Sequence, residues 1–135
     1  MLTIDEAVKN ILETVKPLGS ETVGILESYG RIIAEEVRAD SDVPFCDNSA
    51  MDGFAVIAED VKAASEEKPV ELKILEKIQA GRVAEHKVEK GTAVRIMTGA
   101  PIPQGADAVV MVEYTETRDD RAFIKAPVEK GANIR

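Results

Sequence analysis

The stretch Asp47-Asn48-Ser49-Ala50-Met51-Asp52-Gly53-Phe54-Ala55-Val56 constrains the fold of this chain more than any other. Small polar residues lead, an apolar run follows, and Asp52-Gly53 marks the join. Side chains of this polar kind bond back to nearby backbone and favour turns, and glycine accepts a positive φ that other residues resist. The pattern predicts an exposed loop that turns sharply into a strand at Phe54. Asp47, Ser49 and Asp52 would then gather at the strand mouth, a common position for polar chemistry. On spacing alone an ordinary hairpin or loop-to-strand turn is the favoured reading.

Upstream the pattern is helical. Thr3-Ile4-Asp5-Glu6 has the form of a capping box, with Thr3 capping and Glu6 reaching back. Ile4, Ala7, Val8, Ile11, Leu12 and Val15 fall on one helical face, and Pro17 and Gly19 end the helix. Thr22 to Ile25 reads as a short strand. Leu26, Tyr29, Ile32 and Ile33 have the spacing of a second helix near 26–34, with Gly30 allowing close packing. Ser41-Asp42-Val43-Pro44 stops any helix, because the residue before proline avoids the α region. A domain boundary is expected around 42–50.

Downstream the period changes to that of strands, over 54–57, 94–97, 108–112 and 123–128. Val70, Leu72 and Ile74 alternate with Glu71 and Lys73 in the manner of a half-buried strand. The turn Arg118-Asp119-Asp120 would pair the last strand back towards Tyr114. The expected fold class is α+β: N-terminal helices, then a small antiparallel, barrel-like β unit. Between two of the apolar runs lies Arg95-Ile96-Met97-Thr98-Gly99-Ala100-Pro101-Ile102-Pro103, a loop stiffened by prolines and glycine. Thr98 stands where the first of these strands ends, so its hydroxyl can face an oxyanion or a metal-bound water. A rigid loop whose Thr98 bonds to its own backbone satisfies the same residues, and is favoured without further information.

Charge and composition exclude several classes. Acidic residues outnumber basic ones 25 to 17, a formal charge of −8, whereas binding to nucleic-acid phosphates or an anionic membrane needs a basic face. No apolar run approaches the ~20 residues of a membrane span. The N-terminal residues lack the pattern of a signal peptide. A single cysteine, Cys46, cannot form an internal disulfide, which suits a reducing cytoplasm. Without tryptophan, and with aromatics at 4%, the core must be filled by Val, Ile and Leu. Gly-x-Gly, Walker and Gly-x-Ser-x-Gly patterns are all missing. His86 sits in a charged run and Cys46 stands alone of its kind, and both read as bystanders. Asp47 and Asp52, with Glu113 at the end of another strand, are oxygen ligands of the kind Mg²⁺ takes, although a pair this close arises readily by chance among so many acids.

The two long motifs, together with Gly105-Ala106-Asp107-Ala108-Val109-Val110, Ser28-Tyr29-Gly30-Arg31-Ile32 and Gly131-Ala132-Asn133-Ile134-Arg135, resemble the MoeA/gephyrin family. All five occur in the family's order and spacing. In one departure, the aromatic that usually directly precedes the residue matching Asp47 stands one place earlier, at Phe45. The resemblance implies residues 1–45 as the N-terminal part of an elongated domain, 46–130 as an inserted β domain, and 131–135 as the return into the first. It implies an N-terminal portion of a longer protein whose pterin-binding domain follows. The implied activity is insertion of molybdate into adenylylated molybdopterin with release of AMP, assisted by Mg²⁺, in a homodimer. Asp52 matches the functional aspartate of the Met-Asp-Gly turn and a site for the metal. Thr98 matches the functional threonine of the Met-Thr-Gly-Ala-Pro loop. Asp47, Ser49 and Gly99 are the implied substrate-binding neighbours. A non-catalytic assembly module of a gephyrin-like protein is the alternative.

Overall fold

The structure is a computed structural model and describes residues 2–135. The chain divides into two compact units, one ending at Arg38 and one running from Ala39 to Arg135.

The first unit holds the single α-helix among the described residues, α1, Ile4–Thr14. Both halves of the capping box form: Glu6 N donates to Thr3 Oγ1 and Thr3 N donates to the Glu6 carboxylate. Lys16, placed before Pro17, is kept from the α region, and the helix closes at the extended Val15. The predicted second helix is absent. Only a 3₁₀ turn, Ile25–Glu27, forms there, and no strand precedes it. Two causes combine. Gly30 has φ +78°, outside the helical region, and a Cβ on it would meet nothing, so the glycine serves backbone conformation and not close packing. Leu26, Tyr29, Ile32 and Ile33 also remain exposed, so no tertiary burial offsets the cost of nucleating a helix.

The second unit is a six-stranded sheet: β1 Gly53–Val56, β2 Val70–Ile78, β3 Thr92–Ile96, β4 Ala108–Met111, β5 Thr115–Arg118 and β6 Arg121–Ile124, in the order β4-β1-β3-β2-β6-β5. The sheet is mixed where an antiparallel one was expected, because β2 and β3 run parallel. It also stays open, with β4 and β5 as edges, so barrel-like describes at most half a barrel. With one helix, the architecture is mostly β and not evenly α+β.

Alternation along the strands builds two cores on opposite faces. Phe54, Val56, Leu72, Ala93, Val110 and Ile124 pack on one, and Ala55, Ile78, Val94, Ile96 and Val109 on the other. Central β1 is therefore buried along its whole length. The edges are managed differently. β5 is polar, Thr-Glu-Thr-Arg, which discourages edge pairing. Apolar β4 is covered by the chain's last turn, where Val109 N donates to Ala132 O and Asn133 Nδ2 donates to Val109 O. No described helix is long and apolar enough to cross a membrane.

Candidate functional site

Strand direction creates the site. β1 runs antiparallel to β3 and β4, so its first residue adjoins their last ones, and parallel β2 ends at the same mouth as β3. Asp52 immediately precedes β1 at this point. Its carbonyl accepts Val112 N at 3.0 Å just beyond β4. Its carboxylate Oδ1 accepts both Thr98 N and Thr98 Oγ1, each at 2.7 Å, just beyond β3. The two motifs thus meet through one side chain. These bonds, the backbone one foremost, hold the Asp52 carboxyl below its usual range. Partial desolvation opposes them, and the positive charges of Arg95 and Lys77 add to the lowering.

The segment before Asp52 is a tightly held ribbon, contrary to the expected exposed loop. Ser49 N donates to Ala100 O and Gly99 N to Ser49 O, while Asn48 and Arg135 exchange backbone bonds on the other side. Ala50 N donates to Asn133 O. Four of the five sequence motifs therefore converge on one locus: 47–56, 95–101, 105–110 and 131–135.

Ser49 is fully buried, and its hydroxyl donates to Met51 O and accepts Met51 N, so it shapes the turn. Asp47 is exposed and offers its carbonyl to Ile102 N. Gly99 takes φ +81° and spends its N–H on Ser49, so its contribution is backbone shape. Gly53 has no positive φ. It must be glycine because a Cβ would stand 1.9 Å from Val110 O on β4. Close approach of strands, not turn conformation, fixes that residue.

Among the described residues no group of three or more His, Cys, Asp or Glu is arranged to hold a metal, so Asp47, Asp52 and Glu113 do not assemble into one. His86 pairs with Glu76 and Cys46 is half-buried and free. Asp107 is a residue that sequence reasoning left without a role: its Oδ1 accepts Ala58 N at 2.7 Å, fixing the 3₁₀ turn that follows β1. The signal was its place between Gly105 and β4, at a distance in sequence that no local pattern links to Ala58.

Residues 2–135 match the MoeA N-terminal region (domain I and II). The chain belongs to that family. Curated relatives include a molybdopterin molybdenumtransferase from Bacillus subtilis (strain 168), 42% identical over 137 residues, with 98% of this chain and 32% of that protein covered. Another, from Staphylococcus aureus (strain Mu50), is 40% identical over 133 residues with the same coverage. The chain thus spans about a third of the length of the curated relatives it matches. A crystal structure of a molybdopterin biosynthesis MoeA protein from Pyrococcus horikoshii is similar with TM-score 0.85 and 38% identity, over 97% of this chain and 35% of that one. In this chain Asp52 and Thr98 meet at one sheet mouth of that fold.

Proposed function

We propose that this chain is the N-terminal part of a molybdenum cofactor biosynthesis enzyme that inserts molybdate into adenylylated molybdopterin with release of AMP. The observation that carries the reading is the Asp52–Thr98 linkage, which joins two long family motifs at a partly exposed sheet mouth. The names of its relatives supply the reaction class.

The chemistry of the pair follows from its protons. Thr98 gives both its N–H and its hydroxyl proton to Asp52 Oδ1, so the carboxylate stays ionised and oriented. Oδ2 has no partner among the described residues, and Thr98 Oγ1 keeps its lone pairs. As bonded, the pair presents oxygen acceptors. When the hydroxyl turns from Asp52 to a bound oxyanion, the Thr98 N–H still anchors the carboxylate. One residue can therefore both hold Asp52 and donate to substrate.

These donors suit Mg²⁺, a hard cation that usually takes one or two carboxylates, waters and substrate phosphates. Asp52 would hold it, with its other ligands supplied from outside this chain, since the described residues form no larger acidic cluster. Bound there, the ion would neutralise developing negative charge on phosphate or molybdate oxygens. Asp47 lies within the same ribbon as the weaker candidate for substrate contact. The reading includes a homodimeric, cytoplasmic protein in which the partner's pterin-binding part completes the site.

The test is molybdenum cofactor formation by the longer protein carrying Asp52→Asn or Thr98→Ala. A loss on the order of 100-fold or more is expected for Asp52→Asn, the scale of an essential charged group at a reacting centre. Wild-type rates in both variants would sink the reading. The 135-residue chain alone should show no insertion, and measurable turnover by it would contradict the half-site.

A second reading, a non-catalytic assembly module, is favoured by one observation. The apolar stripe of α1, with Ile4, Val8, Ile11 and Leu12, is exposed, as is Val15 at its end. Sedimentation separates the two: a monomer that binds no apolar dye counts against an assembly surface.

A further inference from the structure

The parallel ladder between β2 and β3 is irregular at one place. Lys73 and Ile74 stand opposite Thr92 and Ala93, but farther along Lys77 stands opposite Arg95 and Ile78 opposite Ile96. A regular ladder continuing from Ile74–Ala93 would put Glu76 opposite Arg95, an ion pair. One extra residue in β2 replaces that glutamate with a lysine. Bulges are uncommon between parallel strands, and they often re-aim a side chain beside a site.

The displaced Glu76 is otherwise engaged: its Oε1 accepts His86 N at 2.7 Å and lies 3.1 Å from His86 Nδ1. Two cations are left side by side on one face, an arrangement that is itself destabilising. Neither Lys77 nor Arg95 has a carboxylate within 4.0 Å among the described residues. Arg95 is held in place by the Phe54 ring, 5.3 Å from its guanidinium carbon to the ring centroid. Phe54 and Lys77 are the cross-strand partners of Arg95, Asp52 directly precedes the strand that carries Phe54, and the charges of Arg95 and Lys77 act on its carboxylate. A paired positive charge on a chain of net charge −8 is thus built next to the Asp52–Thr98 pair.

We propose that Lys77 and Arg95 form an anion subsite that takes a tetrahedral oxyanion, phosphate or molybdate, beside Asp52. Arg95 supplies a planar, oriented donor set and Lys77 a mobile point charge. That the anion belongs to the pterin nucleotide or to the molybdate it receives rests on the proposed function. The binding itself does not.

The test is a titration of the isotope-labelled 135-residue chain with sodium phosphate and, separately, sodium molybdate at constant ionic strength, followed by NMR at Lys77, Arg95 and Thr98. Saturable shifts are expected at all three, weakened at least about tenfold by Lys77→Gln, the scale of one charge-assisted contact. Asp52→Asn should retain or strengthen the binding, because it removes a repelling charge. This separates the subsite from the Asp52–Thr98 chemistry, whose failure in turnover would leave the titration unchanged. Phosphate binding alone assigns the subsite to a phosphate group, and molybdate alone assigns it to the oxyanion substrate. Absence of saturable shifts with either anion, or equal affinity in Lys77→Gln with its other resonances unmoved, overturns the proposal.

Discussion

Asp52 is held by two donors from one residue, and that makes its ionisation readable at Thr98. The folded carboxyl is held below its usual range, so its link to Thr98 is fully present above the ordinary aspartate value of about 3.9. The contribution is lost as pH falls through the lower, folded value. The Thr98 amide shift should titrate with a midpoint below about 3.9, and a midpoint at or above that figure would show the bonds to be absent in solution. Gly53 offers a second residue-scale check. The added Cβ of Gly53→Ala meets the Val110 carbonyl, a backbone atom with no room to yield between two buried strands. Urea unfolding of the variant should show a loss of at least about 2 kcal/mol, the upper part of the overpacking range. A loss within ~0.5 kcal/mol, typical of a surface change, would mean β1 and β4 are not so close.

At the scale of elements, local patterns were legible and pairings were not. The capping box at Thr3, the alternation of Val70, Leu72 and Ile74, and the hairpin at Asp119-Asp120 could be read because each depends on residues a few places apart. The parallel pairing of β2 with β3 could not, since nothing within either strand encodes its neighbour's direction. Leu26, Tyr29, Ile32 and Ile33 carried helical spacing, but a period alone does not form a helix without a surface to bury it. For the site, Asp52 and Thr98 were legible as members of motifs, and their contact was not. Gly53 was expected at the right place for the wrong reason, because a strand 57 residues away decides it. The β-bulge belongs to the same class, visible only when two strands are laid side by side. Gly105 has that character too. It has φ +89° and its missing Cβ would stand 2.1 Å from Val88 O, so Gly105→Ala should lower the unfolding midpoint, and an unchanged midpoint would argue against that packing.

At the scale of the whole molecule the two units differ in kind. Among the described residues every core residue lies beyond Arg38, and no residue of α1 is buried. Protection from hydrogen exchange follows burial and cooperative pairing. In the isolated chain, β1 and β3 amides should exchange only through global opening, while α1 amides exchange orders of magnitude faster. Comparable protection in both would show that α1 has found a partner surface, as the assembly reading requires.

Asp52 and Thr98 work as one unit at the mouth of the sheet. A double-mutant cycle on molybdenum insertion by the longer protein is the decisive measurement, using Asp52→Asn, Thr98→Ala and their combination. Groups that act together are strongly non-additive, so the double variant should be scarcely slower than the worse single one. Losses that multiply across the cycle, or a wild-type rate in either single variant, would show that the two residues act apart.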